Sequence, residues 1–282
     1  MNEGNKPICV ERILVALDSS NHSFAALQAA VELAQHYDAI LRGIFIEDIN
    51  LLNLANMPFH REVGLYSAVI REITTDGISR GILVQSRWVV RTFHRLINRT
   101  GLQSEFAVLR GDVIETIRHE AEECDLLVMG KSGRALLKSG KLGSTARLLI
   151  QEHEQSLLLV EEGNQIDYPK MVLFDDSQIG RTALETSADL LGEDESLVVL
   201  LNEAYIDGID KHQKFLKAWS SEKDIRISIK GYQPNLFLRF INEIRDVKIG
   251  LLILPVLQDF PKRRLVEICL EEVNLPILLI RT

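Results

Sequence analysis

Short apolar runs, each closed by a polar residue or a glycine, alternate along this chain with stretches of helical period. Arg12-Ile13-Leu14-Val15-Ala16-Leu17-Asp18 is the first, and its unbroken apolar residues predict a strand buried on both faces. Ser19-Ser20-Asn21-His22-Ser23 follows with N-cap residue types, and Phe24, Leu27, Ala30, Val31 and Ala34 then recur at helical spacing. Ile40 to Asp48 is a second strand, again ending in acids. Strand, helix, strand at this length is a βαβ unit and implies parallel pairing. Further on, the pattern predicts a loop or short helix over Ile49 to Pro58 and a long helical region from about Glu62 to Thr100, broken near Thr74-Thr75-Asp76-Gly77. A third strand over Gln103 to Leu109, a helix over Val113 to Glu123, a fourth strand ending at Gly130, a helix from about Ser144 to His153 and a fifth strand over Ser156 to Val160 complete this half.

After a linker at Gly163-Asn164-Gln165 the pattern starts again. Lys170-Met171-Val172-Leu173-Phe174-Asp175-Asp176-Ser177 repeats the first strand and its Asp-x-Ser ending, and Ala183, Leu184 and Leu190 repeat Ala26, Leu27 and Leu33 at one constant offset. Strands are expected at Ser196 to Asn202, Ile225 to Lys230, Ile249 to Leu254 and Pro276 to Ile280, with helices at Leu236 to Arg245 and Leu265 to Glu272. The chain therefore reads as an internal duplication of two α/β units, residues 1–163 and 164–282.

Between the fourth strand and the next helix of the first unit lies Met129-Gly130-Lys131-Ser132-Gly133, continuing to Gly143-Ser144-Thr145. Glycines directly after a buried strand let the backbone turn and approach a ligand. Gly143-Ser144-Thr145 reads as a helix start, whose open N–H groups and positive dipole end favour an anion. From Gly130 to Arg147 the ionisable residues are Lys131, Arg134, Lys138, Lys141 and Arg147, all basic, in a chain of net charge -8. A basic loop on an acidic protein suits a phosphate; a solvated crossover loop is the plainer alternative. In the second unit Pro255 stands where Gly130 stood, and the loop after it has no glycine, which argues against a phosphate cradle there.

With 282 residues, 46% hydrophobic and 26% charged, the composition is that of an ordinary globular protein long enough for two domains. No apolar run approaches the roughly 20 residues of a membrane span. The polar Met1 to Arg12 stretch does not read as a secretory signal. Cys9, Cys124 and Cys269 are too few and too scattered for a disulfide framework or cysteine metal site, and fit a reducing cytoplasm. The acidic balance gives no support for nucleic-acid binding. Arg80, Arg87, Arg91, Arg95 and Arg99 fall at intervals of seven or four and share one helical face, with Trp88, Phe93, Leu96 and Ile97 largely away from it. That is a solvated face beside a core face, or a docking surface for an acidic partner.

In open parallel sheets, ligands bind beyond the carboxyl ends of the strands where strand order reverses. If the first and fourth strands are neighbours there, Asp18 and the glycine loop face one crevice. The carboxylate could accept from ribose hydroxyls, the Ile46 backbone could pair with a base, and the loop and helix start would take phosphates. Asp18 could equally be only a cap. The dinucleotide signature Gly-x-Gly-x-x-Gly is absent after the first strand, and there is no P-loop.

Gly130-x2-Gly133-x9-Gly143-Ser144, with Ile-Leu-Val-Ala-Leu-Asp near the N-terminus, resembles the nucleotide-binding class of universal stress proteins. The resemblance covers nearly the whole chain as a tandem pair and is specific in the first unit. It implies α/β architecture: two Rossmann-like (adenine nucleotide alpha hydrolase-like) domains, each a five-stranded parallel sheet with helices on both faces. It implies ATP or ADP in the first domain, with Mg as an optional companion, and pairing of the two units through their last strands. Carried over, Asp18 meets the ribose and adenine side, Ala16 and Ile46 the adenine, and Gly130, Gly133, Gly143, Ser144 and Thr145 the phosphates; Met129, Lys131 and Arg134 complete the candidate set. The reading is an ATP-binding regulatory protein of the stress response. The alternatives are an interaction protein without nucleotide, or a slow ATPase, although no nucleophile with its base is assembled. His22 near the crevice reads as a cap or surface residue and Cys124 as inert packing. The protein partner is unknown, and a homodimer is left open.

Overall fold

The computed structural model describes residues 6–55, 61–63, 70–72, 75–133, 142–152, 154–164, 166, 169–202, 209–232, 249–256 and 260–281. The buried strand β1 (Arg12–Leu17) leads into a turn where Ser19 takes a left-handed φ of 66°. Ser20 then caps α1 (Asn21–Tyr37), its side chain accepting from the Ser23 amide and satisfying one open donor of the helix. β2 (Ile40–Asp48) returns parallel to β1. After α2 (Ile49–Ala55), β3 (Arg61–Val63) and β4 (Ile70–Glu72) form a small antiparallel pair, followed by α3 (Thr75–Ile97).

The half closes with β5 (Ser104–Gly111), α4 (Val113–Ala121), β6 (Leu126–Gly130), α5 (Ser144–Glu152) and β7 (Ser156–Val160). The C-terminal half contributes β8 (Lys170–Phe174), α6 (Gln178–Asp189), β9 (Ser196–Asn202), α7 (Ile209–Lys223), β10 (Arg226–Tyr232), β11 (Leu251–Pro255), α8 (Phe260–Glu272) and β12 (Ile277–Ile280).

Ten strands join in one sheet, ordered β10-β9-β8-β11-β12-β7-β6-β1-β2-β5. Each half reads third, second, first, fourth, fifth, with parallel pairing throughout. The halves meet where β12 pairs antiparallel with β7, Leu278 opposite Leu158. One core layer lies under α1, α3, α6 and α7, the other under α4, α5 and α8, and each layer draws buried residues from both halves. The first turn is duplicated as well: Asp176 is left-handed at φ 59° and Ser177 caps α6 by accepting from the Gly180 amide.

Two expectations need correction, and one helix was not anticipated. Residues 61–63 and 70–72 are strands rather than helix. Gly64 and the β-branched Val69, Ile70, Ile73 and Thr74 lower helix propensity over that stretch. Helix α7 follows β9, although its sequence offers Phe215, Leu216 and Trp219 among many polar residues. Trp88, expected away from the arginines, is 47% exposed on the same flank. The helix expected at Leu236 to Arg245 lies outside the described residues.

Candidate functional site

β1 and β6 are neighbours, Ala16 opposite Met129, and β2 lies on the other side of β1. Chain order reverses between β1 and β6, so a crevice opens beyond their carboxyl ends. It holds a cavity of about 340 Å³. Ala16, Asp18, Ile46, Met129, Gly130, Lys131, Gly133, Gly143, Ser144 and Thr145 all line it, while Arg134 lies outside the described residues. Ile44, Val113 and Ile117 add an apolar wall that the sequence analysis missed. Their signal was periodicity: Ile44 is two residues from Ile46 on one strand, and Val113 and Ile117 are one turn apart on α4.

Asp18 divides its two oxygens between two jobs. Oδ1 accepts from the Ser20 amide at 3.0 Å and from its hydroxyl at 2.6 Å, which holds the turn into α1. Oδ2 faces across the crevice, 3.4 Å from where a Cβ on Gly133 would sit. The cap and ligand readings of this residue are therefore compatible. Asp175 makes the same turn contacts to Ser177 in the C-terminal half.

Opposite Asp18, the Gly143 amide donates to the Lys131 carbonyl at 2.9 Å, closing the loop on itself. Gly143 is thus not a free donor. The first helical bond of α5 runs from the Arg147 amide to the Gly143 carbonyl, leaving the amides of Ser144, Thr145 and Ala146 with no acceptor among the described residues. Gly130 has a steric role: a Cβ there would lie 3.0 Å from His22 Cβ and 3.1 Å from its carbonyl carbon, so any larger residue would push against the start of α1.

The basic character of the loop is not directed at the crevice where it is described. Lys131 lines the cavity, but its side chain is 1% exposed and its ammonium donates to the Val273 carbonyl, with Glu161 at 3.7 Å. Burial holds its pKa below the usual lysine range, and the Glu161 carboxylate partly offsets this. Arg147 pairs with Glu271 at 2.9 Å. The expectation that Lys131 offers its charge to a ligand is corrected: the loop cannot turn its side chain outward while the ammonium is held by the other half. Lys138 and Lys141 lie outside the described residues.

His22 is a clamp, its Nδ1 accepting from the Glu162 amide at 3.0 Å. Cys124 is buried, and desolvation pushes its thiol up to about 11. At the end of β11 Pro255 faces Ile280, as Gly130 faces Val160, so the C-terminal half lacks the glycine at this corner.

The fold and crevice define an α/β protein with a cavity at the switch point of its N-terminal sheet. Residues 10–161 match the model of the universal stress protein family, more than half of the chain, and the chain belongs to that family. It is 22% identical over 152 residues to universal stress protein MJ0531 of Methanocaldococcus jannaschii, covering 54% of this chain and 82% of that one. Over 154 residues it is 27% identical to universal stress protein Sll1388 of Synechocystis, covering 53% and 97%. A solved universal stress protein from Archaeoglobus fulgidus superposes with a TM-score of 0.70 at 12% identity, over 96% of this chain and 98% of that chain. The fold is shared across almost the full length.

Proposed function

We propose that this universal stress protein binds ATP or ADP in the crevice of its N-terminal half and acts as a regulator through that nucleotide. The observation that carries the reading is that the α5 amides of Ser144 to Ala146, without an acceptor among the described residues, line the same apolar slot as Asp18, whose Oδ2 lies beside Gly133. Helix-start amides suit phosphate oxygens, a carboxylate suits ribose hydroxyls, and Ala16, Ile46 and Met129 suit a base. The cavity volume lies within the usual range of small-molecule sites, roughly 300–1,000 Å³. Among the described residues no group of three His, Cys, Asp or Glu side chains could hold a metal ion. A magnesium ion would arrive on the nucleotide's phosphates.

The same reading divides the chain into a nucleotide domain, residues 1–163, and a second domain, 164–282, that lacks the glycine corner. It places the protein in the cytoplasm; among the described residues no helix is long and apolar enough to cross a membrane.

Mass spectrometry of small molecules released from the denatured protein tests it, with calorimetry against ATP and ADP. Adenine nucleotide carried through purification, or titrated with measurable heat, is the expected result. Gly143→Val sets a branched side chain whose Cβ lies 3.4 Å from the Lys131 carbonyl, the Ser132 Cα and the Gly133 amide nitrogen, crowding the turn before α5, and is expected to abolish binding. Calorimetric silence towards both nucleotides, or intact binding in Gly143→Val, overturns the assignment.

A further inference from the structure

Helix α3 packs Ile82, Val89, Phe93 and Ile97 into the core. Its opposite flank carries Arg80, Leu83, Val84, Arg87, Trp88 and Arg91, all exposed. Three of these are large apolar side chains left in water: Leu83 is 43%, Val84 67% and Trp88 47% exposed. Isolated exposed apolar residues are ordinary, but these are contiguous, because residues three and four apart on a helix are neighbours. Trp and Arg are also the residue types most enriched where proteins bind one another.

The charges point the same way. Between Thr75 and Ile97 the only acid is Asp76, against four arginines. Arg87, Arg91 and Arg95 follow one another at i+4, an arrangement in which like charges repel. None of them is paired with a described residue. This is a local reversal of sign on a chain of net charge -8. Such a flank is a poor solvated surface and a good receptor for carboxylates, which the guanidinium fork grips two at a time.

We infer that this flank of α3 docks an acidic amphipathic helix of a partner protein. From Arg80 to Arg95 the strip is one helix wide and roughly 22 Å long at 1.5 Å per residue, a match in shape for a second helix. The apolar trio receives the partner's apolar stripe and the arginines its flanking acids. An anionic bilayer fits less well. It is a plane, so docking would bring the rest of an acidic chain against a like-charged surface, whereas a helix meets only the strip. The inference stands apart from the nucleotide reading and uses none of the crevice residues.

The full chain is titrated with a fluorescein-labelled synthetic helix carrying leucine on one face and glutamate on its flanks. The readouts are anisotropy and tryptophan emission. Trp219 is 6% exposed, so a blue shift on binding reports Trp88. Saturable binding is expected, weakened at least about tenfold by Trp88→Ala and by Arg87→Glu with Arg91→Glu. Lys214→Glu with Lys217→Glu makes the same charge change on the exposed side of α7 and leaves binding unchanged. Circular dichroism of each variant checks the fold, and Arg91→Gln repeats the test with a milder change. Absence of saturable binding, or equal binding by the α3 variants, overturns the inference. So does stronger binding to phosphatidylcholine–phosphatidylserine vesicles that the α3 variants alone lose, because the flank would then read a membrane.

Discussion

The Lys131 ammonium lies 2.5 Å from the Val273 main-chain oxygen, so a residue of the glycine loop in one half of the protein is anchored to the other half. Around it Arg147 meets Glu271 and Asn164 meets Asn274, so the segment from α5 to the linker is tied to α8 and the turn that follows it. The crevice loop is held by the seam between the halves.

Replacing Lys131 therefore separates two roles. Lys131→Met leaves the buried Glu161 carboxylate without its cation and is expected to lower stability at neutral pH by about 2–4 kcal/mol. Lys131→Met with Glu161→Gln recovers part of that. Nucleotide affinity stays within a few-fold of the parent, because the ammonium does not face the crevice. Denaturant melts and calorimetry check both statements; a large loss of affinity at unchanged stability contradicts this geometry.

The same residue gives the protein a pH signature. Its folded pKa is depressed by burial below the ordinary 10.5, so between the two values the unfolded chain binds more protons. Stability from this group therefore rises with pH through that window and is flat below the depressed value. The difference in stability between the parent and Lys131→Met should shift in the parent's favour as pH climbs towards 10.5. A difference independent of alkaline pH would show that Lys131 is not desolvated.

Asp18 and Asp175 hold identical turns, yet only Asp18 stands beside the cavity's glycine loop. Asp18→Asn keeps the acceptor at Oδ1 and removes the charge facing Gly133. It is expected to weaken ATP binding by about tenfold, near 1.4 kcal/mol, with a stability cost below about 1 kcal/mol. Asp175→Asn should show a similar stability cost and unchanged ATP affinity. Equal effects of the two on affinity would place the ligand elsewhere.

Ser20 and Ser177 cap α1 and α6 through the same contact. Each Ser→Ala substitution is expected to cost about 1 kcal/mol in a thermal or denaturant melt. A neutral result at either position would mean that the Asp-Ser turn, not the cap, carries the local stability.

Of the three thiols, Cys9 is exposed, Cys124 is pushed up to about 11 and Cys269 up to about 12, both by burial. A neutral-pH alkylating reagent should label Cys9 first, with the other two modified only on unfolding. Intact-mass spectrometry against time distinguishes one fast adduct from several.

Local pattern was sufficient for the ten strands of the main sheet and most helices. β7 and β9 run over the spans the apolar pattern predicts, Ser156–Val160 and Ser196–Asn202, because a strand buried on both faces reads as an unbroken apolar run. The Asp-x-Ser turn and its duplication were legible because they depend only on neighbouring residues. Strand ends and glycines marked part of the crevice lining in the same way, but the apolar wall of Ile44, Val113 and Ile117 was not read from them. Tertiary structure alone decided which way side chains point once two halves share a seam. A lysine in a basic loop looks like a phosphate ligand until the other half supplies a carbonyl and a carboxylate. A tryptophan near an arginine stripe looks like core until the helix settles its Phe93 flank against the sheet. Sequence spacing records what lies along one element; what a side chain finds across the gap between elements exists only when both are folded.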